Sequence, residues 1–190
     1  AIKNIIDFID NTIDECFGDV RDVPEDMINI VTGLCTIKWC QKYGLVQAGF
    51  TALEETVISY IYTLLGSDVI GELMGKPACN KAENPEDMKK DKKSDSERSR
   101  REFIGRIVTE YDKLSQNNST GPTEEYLKVA EKLREYEPIR LFVLVSGVKQ
   151  ARNDMNHFGF STDQRKSADL KRDLDRFFCE FEELAGMRRS

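Results

Sequence analysis

The sequence predicts an all-α protein, a bundle of about seven helices. Apolar residues recur at three-and-four spacing in almost every segment, which is the signature of a helix with one buried face. No pair of alternating strand-like segments stands out. The balance of 39% hydrophobic and 33% charged residues suits helices that bury one side and solvate the other. At 190 residues the chain has the length of one domain, or one domain with a sizeable insertion, and it is read here as a single helical domain over 1–190.

The elements follow in order. Ile2, Ile5, Ile6, Ile9, Ile13 and Cys16 mark the first helix face. "RDVPED" then places Asp22 three before Glu25 with Pro24 between them, a helix start. Met27, Ile30, Val31, Leu34 and Ile37 repeat on one face of the helix that follows, and Gly44 is its expected stop. Val46, Gly49, Phe50, Leu53, Val57, Tyr60, Ile61 and Leu64 form the cleanest stripe, broken only by Glu54 and Glu55. Residues 67–97 hold two prolines and dense mixed charge. Such a segment buries too little apolar surface to offset its ordering entropy, so it is expected to be a mobile charged insertion.

Helicity is expected to resume near Glu97, with Phe103, Ile104, Ile107, Val108, Tyr111 and Leu114 inward. After the loop "SQNNSTGPT" comes a shorter amphipathic helix using Tyr126, Leu127, Ala130 and Leu133. Pro138 opens "IRLFVLVSGVKQARNDMNH", whose first half is apolar on nearly all sides. Its length favours a buried helix, while its valines argue weakly for a strand. Leu170, Leu174, Phe177, Phe178, Phe181 and Leu184 stripe the last helix, over about 163–183. The three phenylalanines read as core or dimer interface, and Trp39 as packing.

Composition narrows the function classes. The net charge of -6 does not advertise a nucleic-acid binder, so any RNA contact must be local. The five cysteines (16, 35, 40, 79 and 179) show no Cys-x-x-Cys spacing. With a single histidine they give no familiar zinc site, so neither metal nor cofactor is expected. Free thiols in apolar helical surroundings point to a reduced, cytoplasmic setting. No apolar run approaches the ~20 residues that span a bilayer, and the N-terminus has no signal-peptide pattern. Glycine-rich phosphate loops are absent.

The one histidine, His157, sits in "QARNDMNHFGF", five positions after Arg152. Metal-free RNA cleavage needs a base for the 2'-hydroxyl, a cation for the charge building on the phosphate, and an acid for the leaving 5'-oxygen. Imidazole titrates near ambient pH and suits the proton work. Guanidinium donates bidentately and keeps its charge. Positions five apart differ by ~140° around a helix, so Arg152 and His157 do not share one ideal face, whereas Asn153 and His157 do. One histidine fills only one proton-transfer role, and a symmetric homodimer would supply the second. The same residues also fit a plainer account. A lone histidine near a helix end caps it, and Arg152 could pair with Asp154 or another acid, including Glu54 or Glu55.

"RNDMNH" resembles the Arg-x(4-6)-His signature of the HEPN superfamily of ribonucleases, in which a polar residue such as Asn153 commonly follows the arginine. "FGF" after the histidine is similar to the motif tail in CRISPR-associated ancillary ribonucleases of the Csx/Csm group. "GLVQAGFTALEETVISYIY", residues 44–62, resembles a helix of the same proteins. The resemblance implies a HEPN-like bundle, a homodimer with facing motifs, and metal-independent cleavage of single-stranded RNA to 2',3'-cyclic phosphate ends, with Arg152 and His157 catalytic and Asn153 supporting. It also implies antiviral defence of the type III CRISPR kind. Family members of this sort place a cyclic oligoadenylate sensor upstream. No such sensor precedes this bundle, so the chain is expected either to be a C-terminal piece or to work alone. Met155 stands where the toxin branch carries tyrosine, which disfavours a stand-alone toxin. Lys89, Lys90, Lys92, Lys93, Arg98, Arg100 and Arg101 could guide RNA phosphates, although interleaved Asp91, Asp95 and Glu97 favour a solvated charged segment. The remaining alternative is a non-catalytic helical dimerisation module.

Overall fold

The computed structural model describes residues 27–73, 88–115, 121–156 and 167–186. The protein is all-α. Six helices cover these residues: α1 (Ile28–Lys42), α2 (Val46–Leu73), α3 (Met88–Ser115), α4 (Glu124–Lys132), α5 (Pro138–Asn156) and α6 (Ser167–Leu184). No strand occurs among the described residues, so the valines after Pro138 sit in a helix. The expected helix at 2–16 and the start at 22–25 lie outside the described residues.

The chain clusters into two compact units, Ala1–Ser59 with Gly147–Ser190, and Tyr60–Ser146. In the first, α1, the early part of α2, the late part of α5 and α6 bury Ile30, Ile37, Phe50, Leu53, Val57, Ala151, Leu174 and Phe181. Small residues set the helix spacing. A Cβ at Gly49 would stand 2.6 Å from Leu174 Cδ2, and one at Gly147 would stand 2.8 Å from Phe177 Cζ. Side chains at either position would push α6 away. Phe177, Phe178 and Phe181 are buried core, with Phe177 set edge-on to Phe50 at 6.4 Å. Gln41 donates to Asp175 at 2.7 Å, and Lys38 meets Glu182 at 3.1 Å, tying α1 to α6. Trp39 packs on Tyr43, their ring centroids 5.4 Å apart. α1 ends as its sequence implies, with Gly44 at φ +67°, a conformation that favours glycine.

In the second unit, Phe103, Ile104, Ile107 and Val108 of α3 are buried, as are Leu141, Phe142, Leu144 and Val145 of α5. Tyr111 and Tyr126 flank the Phe142 ring at 5.9 and 6.0 Å. Burial, with Tyr111 and Glu110 nearby, pushes the Tyr126 phenol above its ordinary 10.0, so it stays protonated well into alkaline solution. Thr123 caps α4 by accepting from the Tyr126 N–H at 3.2 Å and donates its own hydroxyl to Glu110 at 2.7 Å.

Three sequence expectations change. The charged insertion over 67–97 is helical at both ends: α2 runs to Leu73, breaking at Gly66 (φ 75°, ψ 159°), and α3 starts at Met88. The apolar Ile70, 4% exposed, keeps the first end folded. Lysine, arginine and glutamate are good helix formers, so charge density does not exclude a helix at the other. Residues 74–87 lie outside the described ones. Leu127, expected inward, is 52% exposed, and Val129 with Leu133 takes the buried side of α4. Leu127 instead lines an open groove of about 450 Å³ with Val69, Leu73, Lys128, Glu131 and Lys132. α5 is not buried all round, since Ile139 is 61% and Val143 47% exposed.

The cysteines divide as well. Cys35 and Cys40 are buried, whereas Cys179 is exposed on α6 rather than sheltered among apolar neighbours. Burial pushes the Cys40 thiol up from 9.0, and the thiolate is the reactive form. Brief alkylation at neutral pH is expected to label Cys179 and to spare Cys35 and Cys40, as read by peptide mass mapping. Equal labelling of Cys40 and Cys179 would contradict the packing described.

Candidate functional site

The candidate site begins with a carboxylate in the wrong company. Glu54 lies on α2 between Leu53 and Val57, both fully buried, and is itself 4% exposed. A buried ionised group needs an opposite charge close by. Arg152 of α5 supplies it: its Nη1 stands 2.6 Å from Glu54 Oε2. Both residues belong to the first compact unit. The expectation that one glutamate of the Glu54–Glu55 pair meets Arg152 is met by Glu54, while Glu55 is half-buried.

The contact is a close ion pair rather than an aligned hydrogen bond. Glu54 Oε2 and Arg152 Nε are both buried without an aligned hydrogen-bond partner. The Arg152 side chain keeps 26% of its surface exposed against 5% for Glu54. The guanidinium has five N–H donors, so one carboxylate oxygen leaves it donor capacity to spare. Chemically, this is a guanidinium held by a buried carboxylate with about a quarter of its side chain still exposed, an arrangement that can receive a phosphate oxygen.

Asn153, next along α5, is exposed. Arg152 and Asn153 therefore point different ways, as consecutive helical positions must. His157 lies outside the described residues, directly beyond Asn156, the last residue of α5. The structure thus brings Arg152 to Glu54, sets Asn153 at the surface of the same helix end, and bears on His157 only through its place in the chain.

The basic cluster separates. The backbone at Lys89, Lys90, Lys92, Lys93 and Arg98 is helical in α3, and their side chains lie outside the described part of the structure. Arg100 lies over the Tyr62 ring, 4.1 Å from its centroid, a packing role inside the second unit. Arg101 is exposed. Among the described residues no three His, Cys, Asp or Glu side chains gather as a metal-holding group, and no described helix is long and apolar enough to cross a membrane.

Sequence reasoning missed the outward face of α5, where Ile139 and Val143 stand exposed. The signal was the three-and-four spacing of these positions with Gln150 and Asn153, hidden because neighbouring residues on every side are apolar too. Compared with protein-family models, curated proteins and solved structures, the chain shows no significant match to any of them.

Proposed function

We propose that the protein is a metal-independent endoribonuclease that cleaves single-stranded RNA at a site completed by a second copy of the chain, and that it serves CRISPR-type antiviral defence. One observation carries the reading: a buried carboxylate, Glu54, holds the guanidinium of Arg152 at 2.6 Å, on the helix end that leads to the single histidine. A surface arginine without a task needs no buried anchor, whereas one that must meet a phosphate in a fixed orientation does.

In this reading His157 of one chain takes the 2'-hydroxyl proton, and the 2'-oxygen attacks phosphorus. The bond to the 5'-oxygen breaks, and the leaving oxygen receives a proton from the second chain's imidazolium. The products are a 2',3'-cyclic phosphate and a free 5'-hydroxyl. Arg152 offsets the charge on the non-bridging oxygens, and Asn153 supports the site from the surface of the same helix end.

The test compares wild type and His157→Ala on single-stranded RNA with a chelator present. Wild type is expected to cleave, and the variant to lose about 100-fold or more, the scale of a missing general acid-base. Equal cleavage by both, or none by wild type, overturns the reading. A second reading, a non-catalytic helical dimerisation module, is favoured by the same ion pair seen differently: Arg152 is already engaged internally and three-quarters covered. It predicts a folded dimer without cleavage in that assay.

A further inference from the structure

Arg100 carries a charge for which the fold supplies no counterion. Arg106, Arg140, Arg152, Arg172 and Arg176 each meet a carboxylate, at Glu125, Glu137, Glu54, Asp169 and Asp173 respectively. Arg100, half-buried on α3, has no ion pair and no hydrogen bond among the described residues, and its Nε is buried without an acceptor. What it does touch is the Tyr62 ring of α2, whose centroid lies 4.1 Å from the guanidinium carbon. Both residues belong to the second compact unit. Packing on Tyr62 accounts for where Arg100 sits but not for its charge. A ring face attracts a cation without neutralising it, and a partly buried charge stays costly until an anion pairs with it.

We propose that Arg100 and Tyr62 form a phosphate-binding site in the second unit. The Tyr62 hydroxyl, like the guanidinium, has no hydrogen bond among the described residues. The contact that fixes the guanidinium against the ring also keeps this hydroxyl beside it, so two donors are held together. A phosphate has oxygens enough to take the guanidinium fork with two and the phenol with a third. A carboxylate's two oxygens lie in one plane and serve the fork alone, and chloride offers no match to the fork at all.

This differs from a basic segment guiding a strand. One anchored guanidinium and one phenol hold the anion, and the run of lysines earlier on α3 is not needed for it. Two sources of phosphate fit the same donors, the backbone of a single-stranded nucleic acid and a free phosphate, and the experiment separates them. The site does not depend on RNA being cut, so it stands apart from the nuclease reading of Arg152 and His157.

The experiment follows the arginine Nε–Hε signals of nitrogen-15-labelled protein by NMR. The signal missing from Arg100→Lys is that of Arg100. The one missing from Arg134→Lys is the control, since Arg134 is exposed and solvent meets its charge. Wild type is titrated with sodium phosphate exchanged for sodium chloride at constant ionic strength. It is titrated separately with a 2'-O-methyl RNA strand of about eight nucleotides, which no 2'-hydroxyl mechanism can cut. The Arg100 signal is expected to shift and saturate while the Arg134 signal stays. Tyr62→Phe keeps the ring under the cation and is expected to bind about tenfold more weakly, the scale of one hydrogen bond to a charged group. Saturation at lower concentration with the strand than with inorganic phosphate assigns the site to nucleic acid, and saturation with inorganic phosphate alone assigns it to a free phosphate. An Arg100 signal that responds to neither, or that moves only in step with Arg134, overturns the proposal. So does a Tyr62→Phe protein that binds as tightly as wild type.

Discussion

Replacing Arg152 with alanine is expected to lower the unfolding free energy by about 3–5 kcal/mol, the cost of stranding a buried charge. The loss belongs to Glu54. Its side chain is 5% exposed, and Arg152 Nη1 at 2.6 Å is its ion-pair partner. With the guanidinium gone, the carboxylate must stay charged in an apolar setting between Leu53 and Val57 or take up a proton to remain there. Removing both ends of the pair should be far milder, because apolar side chains of similar volume often replace a buried ion pair at little net cost. Glu54→Leu with Arg152→Met is therefore expected to unfold within about 1 kcal/mol of wild type, a recovery that only coupled residues show. Urea titrations of the single and double variants measure both quantities. A single variant that unfolds with wild type would mean that solvent, not Arg152, carries the Glu54 charge. The result also governs how activity is interpreted, since an inactive Arg152→Ala protein could simply be a partly unfolded one. Arg152→Lys keeps the charge and gives up the planar fork, which makes it the cleaner probe of phosphate contact.

Phe50→Ala is expected to cost about 3–5 kcal/mol, in the range for emptying a large aromatic site in a packed core. Phe50 is fully buried and meets Phe177 edge-on at 6.4 Å. Its neighbour Gly49 already lets Leu174 of α6 come as close as the backbone allows. The surrounding helices thus have little slack with which to close the cavity, which places the cost toward the upper end. Phe50→Leu should cost less than half as much because most of the volume remains. Thermal and urea unfolding of the two variants check this. If Phe50→Ala lost under about 1.5 kcal/mol, the α2–α6 contact would have to be pliable rather than close-packed.

Much of the architecture was legible because a helix writes its buried face into the sequence at a fixed period. The stripe from Phe50 to Ile61 and that from Leu170 to Phe181 are both buried as read. The Glu54–Arg152 pair was legible for a related reason: a glutamate inside an apolar stripe must find a cation, and Arg152 stood on the helix singled out by the lone histidine. What stayed hidden shares one cause. Where a helix is apolar on several sides, as at 139–148, periodicity cannot say which side meets water, and here it is Ile139 and Val143 that stand exposed. Tyr126, Leu127, Val129 and Ala130 crowd α4 in the same way, and the wrong residue was turned inward. At 88–97 the charge density that argues for solvation is equally compatible with a helix, because nothing in a solvated helix requires an apolar face.

Gly66 has a lasting effect on how the chain can vary. With φ at 75° and ψ at 159°, it occupies backbone territory nearly closed to other residues, and the turn-by-turn count that begins at Val46 stops there and restarts. A residue gained or lost just beyond this point leaves the azimuth of Glu54 untouched. The break works as a firebreak, letting length drift accumulate on its far side while the carboxylate twelve positions earlier keeps its aim.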